Sequence, residues 1–293
     1  MQAELLAAVG ESLAAALDRR VDLRGAEPVG GGCIHSAWRV GDRGASWFVK
    51  VNDASRAGLF AAEADGLAAL ARSPLRVPRV VCRGGSRGAS FLVLEWLSLR
   101  AGAARDYARL GEDLARLHEL RAERFGWPCD NYIGATPQAN AADDSWLRFY
   151  SRARLAPQFA LARARGDAAL AAKEDALLEA LPKLFAGHAP APALLHGDLW
   201  GGNAGFLQDG TPVVFDPAVY YGDREADIAM TELFGGFAPS FYAAYRARAP
   251  LDAGYRVRKT LYQLYHVLNH ANLFGGGYAA QAQRMIDLLL SEA

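Results

Sequence analysis

At 293 residues and 52% apolar side chains, the chain can form one large domain or two smaller lobes around a substantial core, which excludes a disordered protein. Lys and Arg number 32 and so do Asp and Glu, with no basic run, so charge excludes nucleic acid and anionic membrane as partners and leaves a small molecule. Three separated cysteines, Cys33, Cys82 and Cys129, lack C-x-x-C spacing, the N-terminus is no signal peptide, and no apolar run approaches the ~18 residues of a membrane span, so a cytoplasmic protein is expected.

Leu5, Leu6, Val9, Leu13 and Leu17 recur at helical spacing and predict an opening helix that ends before residues 21–23. From residue 29 to residue 51 the chain reads strand, glycine turn, strand, turn, strand: Gly30-Gly31-Gly32-Cys33-Ile34, residues 36–40, a turn over 41–44, and residues 46–51. A helical stretch at about 56–71 precedes two more strands at 79–82 and 90–95, which predicts a five-stranded antiparallel sheet carrying one inserted helix. Beyond Leu97 the pattern is mostly helical, with Leu110, Leu114, Leu117 and Leu120 marking one helix and Trp146, Phe149 and Tyr150 another. The exception is a strand, loop and strand entered by Ala193-Leu194-Leu195 and closed by Pro212-Val213-Val214-Phe215.

That exception carries the chemistry. In His196-Gly197-Asp198-Leu199-Trp200-Gly201-Gly202-Asn203 a carboxamide stands five positions after an acid, and Asp216 follows thirteen positions later. ATP-dependent phosphotransferases use one Asp to accept or orient the proton of the attacking hydroxyl and a later Asn for Mg²⁺. Asp198 has the first spacing and Asn203 the second, while Asp216 supplies the further oxygen that a hard cation bridging two phosphates requires. A lone His-Gly-Asp is common loop chemistry. Here apolar runs on both sides put the polar groups at strand ends, where two carboxylates and a carboxamide cost stability unless a cation joins them.

The first half of the chain tests this reading. Lys50 lies between Val49 and Val51 in the third strand and faces the opposite way. On the following helix Leu59, Glu63, Gly66, Leu67 and Leu70 share a face, so Glu63 falls in the stripe to be buried and needs a cation. Lys50 is available, and such a pair holds the lysine on the α- and β-phosphates in kinases; the alternative leaves Glu63 at the stripe's edge, in water. Gly30, Gly31 and Gly32, about 20 residues earlier, match the glycine-rich cover whose bare backbone N–H groups approach phosphates, although a glycine triplet also marks a plain hairpin. The form G-x-x-x-x-G-K-[ST] is absent, which argues against a P-loop NTPase. Taken in order, the signals predict an α+β class, bilobal protein-kinase-like fold. Its five-stranded antiparallel β-rich N-lobe spans 1–95, its hinge lies at about 95–98, and its mostly α-helical C-lobe spans 99–293, with ATP and Mg²⁺ in the cleft. The hinge positions Glu95 and Leu97 are expected to border the nucleotide with the glycines, Lys50 and Glu63.

The set resembles the fructosamine-3-kinase and ketosamine-3-kinase family, of the aminoglycoside phosphotransferase-like branch of the kinase fold. The marks are Gly-Gly-Gly-Cys-Ile at 30–34, Phe-Val-Lys-Val-Asn at 48–52, His-Gly-Asp-Leu-Trp-Gly-Gly-Asn at 196–203 and Phe-Asp-Pro-Ala at 215–218. Others are Tyr-Gly-Asp-Arg-Glu-Ala-Asp-Ile-Ala at 221–229, Gly-Gly-Phe at 235–237 and Leu-Tyr-Gln-Leu-Tyr-His-Val-Leu-Asn-His at 261–270. The resemblance implies Asp198 as catalytic base, Asn203 and Asp216 as metal ligands and Lys50, paired with Glu63, on the phosphates. It offers Trp200 as an aromatic face beside the sugar, against the alternative that this ring fills the core. It implies that Asp227 starts a helix and bonds to the backbone around Asp198, and that His196 braces that loop. The activity implied is ATP- and Mg²⁺-dependent phosphorylation of the 3-hydroxyl of a small or protein-bound ketosamine. The 3-phosphate then eliminates phosphate and frees the amine, which is deglycation. The rivals are a kinase of the aminoglycoside or choline type and a nucleotide-binding pseudokinase, the latter opposed by the intact Lys50, Asp198, Asn203 and Asp216. Cys33 is either an inert small residue or a reactive thiol that would link two otherwise monomeric chains.

Overall fold

The computed structural model describes residues 1–30 and 34–293, so Gly31, Gly32 and Cys33, with the expectations placed on them, lie outside the described residues. Helix α1 (Ala3–Leu17) opens the chain. Strands β1 (Ala26–Val29), β2 (Ser36–Asp42), β3 (Ala45–Asp53), β4 (Val80–Ser86) and β5 (Ala89–Glu95) then form the expected five-stranded antiparallel sheet in the order β1-β2-β3-β5-β4. The first strand ends at Val29, where the sequence pattern was read as beginning. It includes Pro28, which is tolerated because β1 is an edge strand.

Central strand β3 sets Lys50 opposite Ala37 of β2 and Leu92 of β5. Alternation divides its side chains between two layers. Val49 and Val93 pack with Val9 and Leu13 of α1, while Leu92 and Leu94 pack on the other face with Phe60, Leu67 and Leu70 of α2 (Ala57–Leu70). Lys50 therefore projects toward α2. That helix is entered through a 3₁₀ turn capped by Asp53, whose carboxylate accepts the Ser55 N–H at 2.9 Å.

The remainder is mostly helical. It contains α3 (Ala104–Leu117), the hairpin β6 (Asn131–Ile133) and β7 (Thr136–Gln138), α4 (Trp146–Phe149), a π-helical stretch Tyr150–Leu155, α5 (Ala156–Ala164), α6 (Ala168–Ala171) and α7 (Glu174–Leu184). The short strands β8 (Ala193–Leu195), β9 (Ala204–Phe206), β10 (Pro212–Val214) and β11 (Tyr220–Gly222) follow, then α8 (Glu225–Leu233), α9 (Pro239–Arg248), α10 (Tyr255–Phe274) and α11 (Gly277–Glu292). Leu120 falls outside α3, contrary to the leucine spacing, because the chain turns at His118 and the Leu120 carbonyl accepts the Leu194 N–H at 2.8 Å. The strands expected on either side of Asp198 and Asp216 are β8 and β10, and each pairs elsewhere, β8 with β11 and β10 with β9. No described helix is long and apolar enough to cross a membrane.

The sheet-bearing part is fastened to the helical part through α2. Trp127 Nε1 donates to Asp65 at 2.7 Å. Gly66 leaves room for Pro217 and Val219, since a Cβ there would lie 3.0 Å from the proline ring.

Candidate active site

Strand β8 ends in His196-Gly197-Asp198, and the turn is possible only with glycine at its centre. Gly197 has φ +83°, and a Cβ on it would come within 2.0 Å of the Ala218 carbonyl oxygen. Buried Asp227, in the first turn of α8, accepts the N–H groups of His196 at 2.7 Å and Gly197 at 2.8 Å. His118 Nε2 lies 3.1 Å from the same carboxylate, and its Nδ1 lies 2.8 Å from the Tyr245 hydroxyl. Burial lowers the His118 pKa, so the ring is neutral, giving its Nε2–H to Asp227 and accepting from Tyr245. Burial would raise Asp227, but His118 and the loop donors outweigh it and hold the carboxyl below its usual range.

His196 braces, as expected. Its Nδ1 accepts the Asp198 N–H at 3.2 Å and its Nε2 donates to the Phe215 carbonyl at 3.1 Å, while the Ala218 N–H donates to its carbonyl at 2.9 Å. Asn203 Nδ2 donates to the Asp198 carbonyl at 2.8 Å and to Asp198 Oδ2 at 3.2 Å. Burial first, then the nearby Asp216 charge, push the Asp198 carboxyl up to about 7 against the Asn203 bond. Its side chain is 21% exposed, so solvent softens that push.

Asp216 follows β10 with φ +57°, an uncommon left-handed conformation for a residue with a side chain. The Phe215 N–H donates to the Asn203 carbonyl at 3.1 Å, tying the two loops together. Lys50 Nζ donates to Glu63 Oε1 at 2.6 Å and also to Asp216 Oδ1. Glu63 is thus inside its stripe, 8% exposed, and not at a solvated edge. Burial lowers the Lys50 pKa, but Asp216 and Glu63 outweigh it, so the ammonium stays charged. Burial raises Glu63, to about 7, with Lys50 opposing.

Lys50, Glu63, Asp216, Asn203 and Asp198 therefore form one connected group from β3, α2 and two loops. Gly30 follows β1 directly. Leu97 is half-buried in the irregular link after β5, and the Glu95 carboxylate is spent on the Arg79 N–H at 2.5 Å and Arg76 at 2.6 Å. Half-buried Trp200 meets Phe234 edge to face at 5.6 Å between ring centroids, and Phe234 lies 5.0 Å from His270. Because Asn203 commits its amide nitrogen to Asp198, its carbonyl oxygen is left over, as is the second oxygen of Asp216. These are hard donors that suit Mg²⁺. Sequence reasoning gave no role to Phe234, nor to His266 and His270, which it quoted only as part of the family mark at 261–270; His266 Nδ1 lies 3.9 Å from Asp198. The i, i+4 spacing of His266 and His270 on α10 was the available signal.

A sheet with one inserted helix above a helical part that carries this acid, amide and acid defines a phosphotransferase of protein-kinase-like fold. An aminoglycoside phosphotransferase solved with AMP-PNP and hygromycin B superposes with TM-score 0.65 at 17% identity over 97% of this chain and 98% of that one, a likeness of fold alone. The sequence profile of the fructosamine kinases matches residues 5–292, and the chain belongs to that family. A "Probable ketoamine kinase" of Synechocystis is 49% identical over 268 residues, 89% of either chain. The crystal structure of a candidate fructosamine-3-kinase from Haemophilus somnus matches with TM-score 0.90 at 32% identity over 97% of both chains.

Proposed function

We propose that this kinase transfers the γ-phosphoryl group of ATP to the 3-hydroxyl of ketosamines, the Amadori products of a sugar and an amine. The observation that carries the reading is the Lys50 ammonium held between Glu63 and Asp216 next to an under-satisfied Asp198. Lys50 takes the α- and β-phosphates, and Gly30, at the end of β1, borders them. Glu95 and Leu97 border the base at the link between a nucleotide lobe of residues 1–95 and a substrate lobe of residues 99–293. Asn203 and Asp216 hold Mg²⁺, which neutralises phosphate charge. Asp198 receives the proton of the 3-hydroxyl, and Trp200 lies along the sugar. Catalysis rests on in-line positioning and charge neutralisation. The family, the "Probable ketoamine kinase" of Synechocystis and the candidate fructosamine-3-kinase of Haemophilus somnus support ketosamine as the acceptor. AMP-PNP in the aminoglycoside enzyme supports ATP as the donor.

The test is an ATP-consumption screen over fructosyl- and ribulosyl-amines, choline and aminoglycosides. Consumption is expected with the ketosamines, and the product should decay to free amine, inorganic phosphate and a 3-deoxy-dicarbonyl. Consumption confined to choline or aminoglycosides, or a stable phosphorylated product, would overturn the reading.

A further inference from the structure

One buried side chain beside Asp198 keeps a ring nitrogen without a partner among the described residues. His266, on α10, is 5% exposed. Its Nδ1 faces Asp198 Oδ1 across 3.9 Å and has no hydrogen-bond partner among the described residues. The other buried histidines around the loop are occupied, His118 by Asp227 and Tyr245, His196 by the Asp198 N–H and the Phe215 carbonyl. A buried polar atom without a partner is costly, and natural structures keep one where something else is to fill it.

The 3.9 Å gap is too long for a direct bond, yet one hydroxyl oxygen can stand ~2.8 Å from both atoms. Such a hydroxyl accepts from the imidazole N–H and donates to the carboxylate. Burial pulls the His266 pKa down to about 3, so the ring is neutral, suited to a hydroxyl and not to a phosphate. The surroundings suit a sugar: Trp200 and Phe234 form an aromatic wall that continues to His270, one turn along α10, and His270 spends its Nδ1 on the His266 carbonyl at 2.8 Å.

We propose that His266 is a substrate-binding residue that, with Asp198, clasps the ketosamine hydroxyl next to the acceptor, the one on C4. The choice of C4 follows from chemistry. A donor on the acceptor oxygen itself would hold back the lone pair that attacks phosphorus, and in the open-chain ketosamine C2 is a carbonyl with no proton for Asp198. A vicinal pair of hydroxyls can straddle one carboxylate, the 3-hydroxyl at one oxygen and the 4-hydroxyl at the other. This rests on the proposed ketosamine kinase reading.

The experiment is a kinetic cycle: wild type and His266→Ala, each with a ketosamine and its 4-deoxy analogue. Wild-type turnover of the parent ketosamine tests the underlying reading, and the cycle tests His266. His266→Ala is expected to lower kcat/KM for the parent at least ~10-fold, chiefly through KM, and the 4-deoxy analogue should cost wild type a similar factor. The two losses should not add, and the affinity for Mg-ATP should stay within about twofold. His266→Asn, which returns an N–H near the Nδ1 position, should recover part of the loss. Full additivity, or a 4-deoxy analogue that wild type uses as well as the parent, would overturn the proposal. The second outcome needs no variant, so a poorly folding His266→Ala does not shelter it.

Discussion

Asp227 is buried and Asp198 half-buried in the same small region, and the protein treats the two acids in opposite ways. Asp227 receives two backbone N–H groups and a histidine N–H, and its carboxyl is held low. Asp198 receives a single amide N–H, at 3.2 Å, and its carboxyl is pushed up to about 7. Burial therefore does not set the order, since the deeper acid is the one held low. The number of donors does: a fully satisfied carboxylate stays charged and holds its surroundings, while an under-satisfied one is ready for a proton.

Asp198→Asn should break the contrast on the chemical side. Turnover is expected to fall at least ~10²-fold, while nucleotide affinity stays within a few-fold and the thermal midpoint is unchanged or rises, because a poorly compensated charge is removed. Steady-state kinetics, calorimetric titration and a melting curve on one preparation check all three, and near-wild-type turnover would remove Asp198 from its role. Asp216→Ala should abolish the Mg²⁺-dependent part of ATP binding, since one hard oxygen is lost; a Mg²⁺ titration unchanged from wild type would move the metal elsewhere.

Asp227→Asn should give the mirror image of Asp198→Asn. It turns one of the two accepting oxygens into an amide N–H that opposes a backbone N–H of the loop, costing ~1–3 kcal/mol, so the midpoint should drop by several degrees while some turnover survives. If it melts like wild type, the loop does not depend on that carboxylate. A smaller effect tests a third group. His188 Nε2 lies 2.5 Å from Asp223, with Glu225 and Asp252 near and Arg258 already bound to both of those. Burial lowers the His188 pKa but Asp223 and Glu225 raise it further, so its protonated form is favoured on folding. That stability is complete below the unfolded value of about 6.5 and is lost as pH rises through the higher folded value. The midpoint of wild type relative to His188→Gln should therefore be most favourable at acid pH, below about 6.5, and lose that advantage as pH rises above it. A difference independent of pH would mean that His188 acts by packing.

What could be read from sequence was what lies close along the chain or repeats with a period. The spacing from Asp198 to Asn203, the strand alternation at Lys50 and the helical stripe at Glu63 are local patterns, and the Lys50–Glu63 pair followed from two of them. Asp227 came from the family resemblance rather than from a local pattern. His266 was not legible. It arrives from a helix that begins 57 residues after Asp198, in a stripe that reads as core, and only tertiary packing sets which atom its Nδ1 faces. The π-helical stretch behaved similarly: Trp146, Phe149 and Tyr150 announced a helix, but not the extra residue that changes its phase and buries Arg154 against Tyr220. Glu95 is the last residue of β5, and its side chain turns to Arg76 and the Arg79 N–H, a choice that backbone spacing does not control.

The fastening of α2 has a consequence for control. Kinases that are switched swing the helix carrying the glutamate, so that its ion pair with the lysine forms only on command. Here the same helix is fixed by the Trp127–Asp65 bond and by Gly66 lying against Pro217 and Val219. Withdrawing Glu63 would break these contacts together, so the pair is standing equipment. A pair held this way needs no swing of the helix to form it before the substrates arrive.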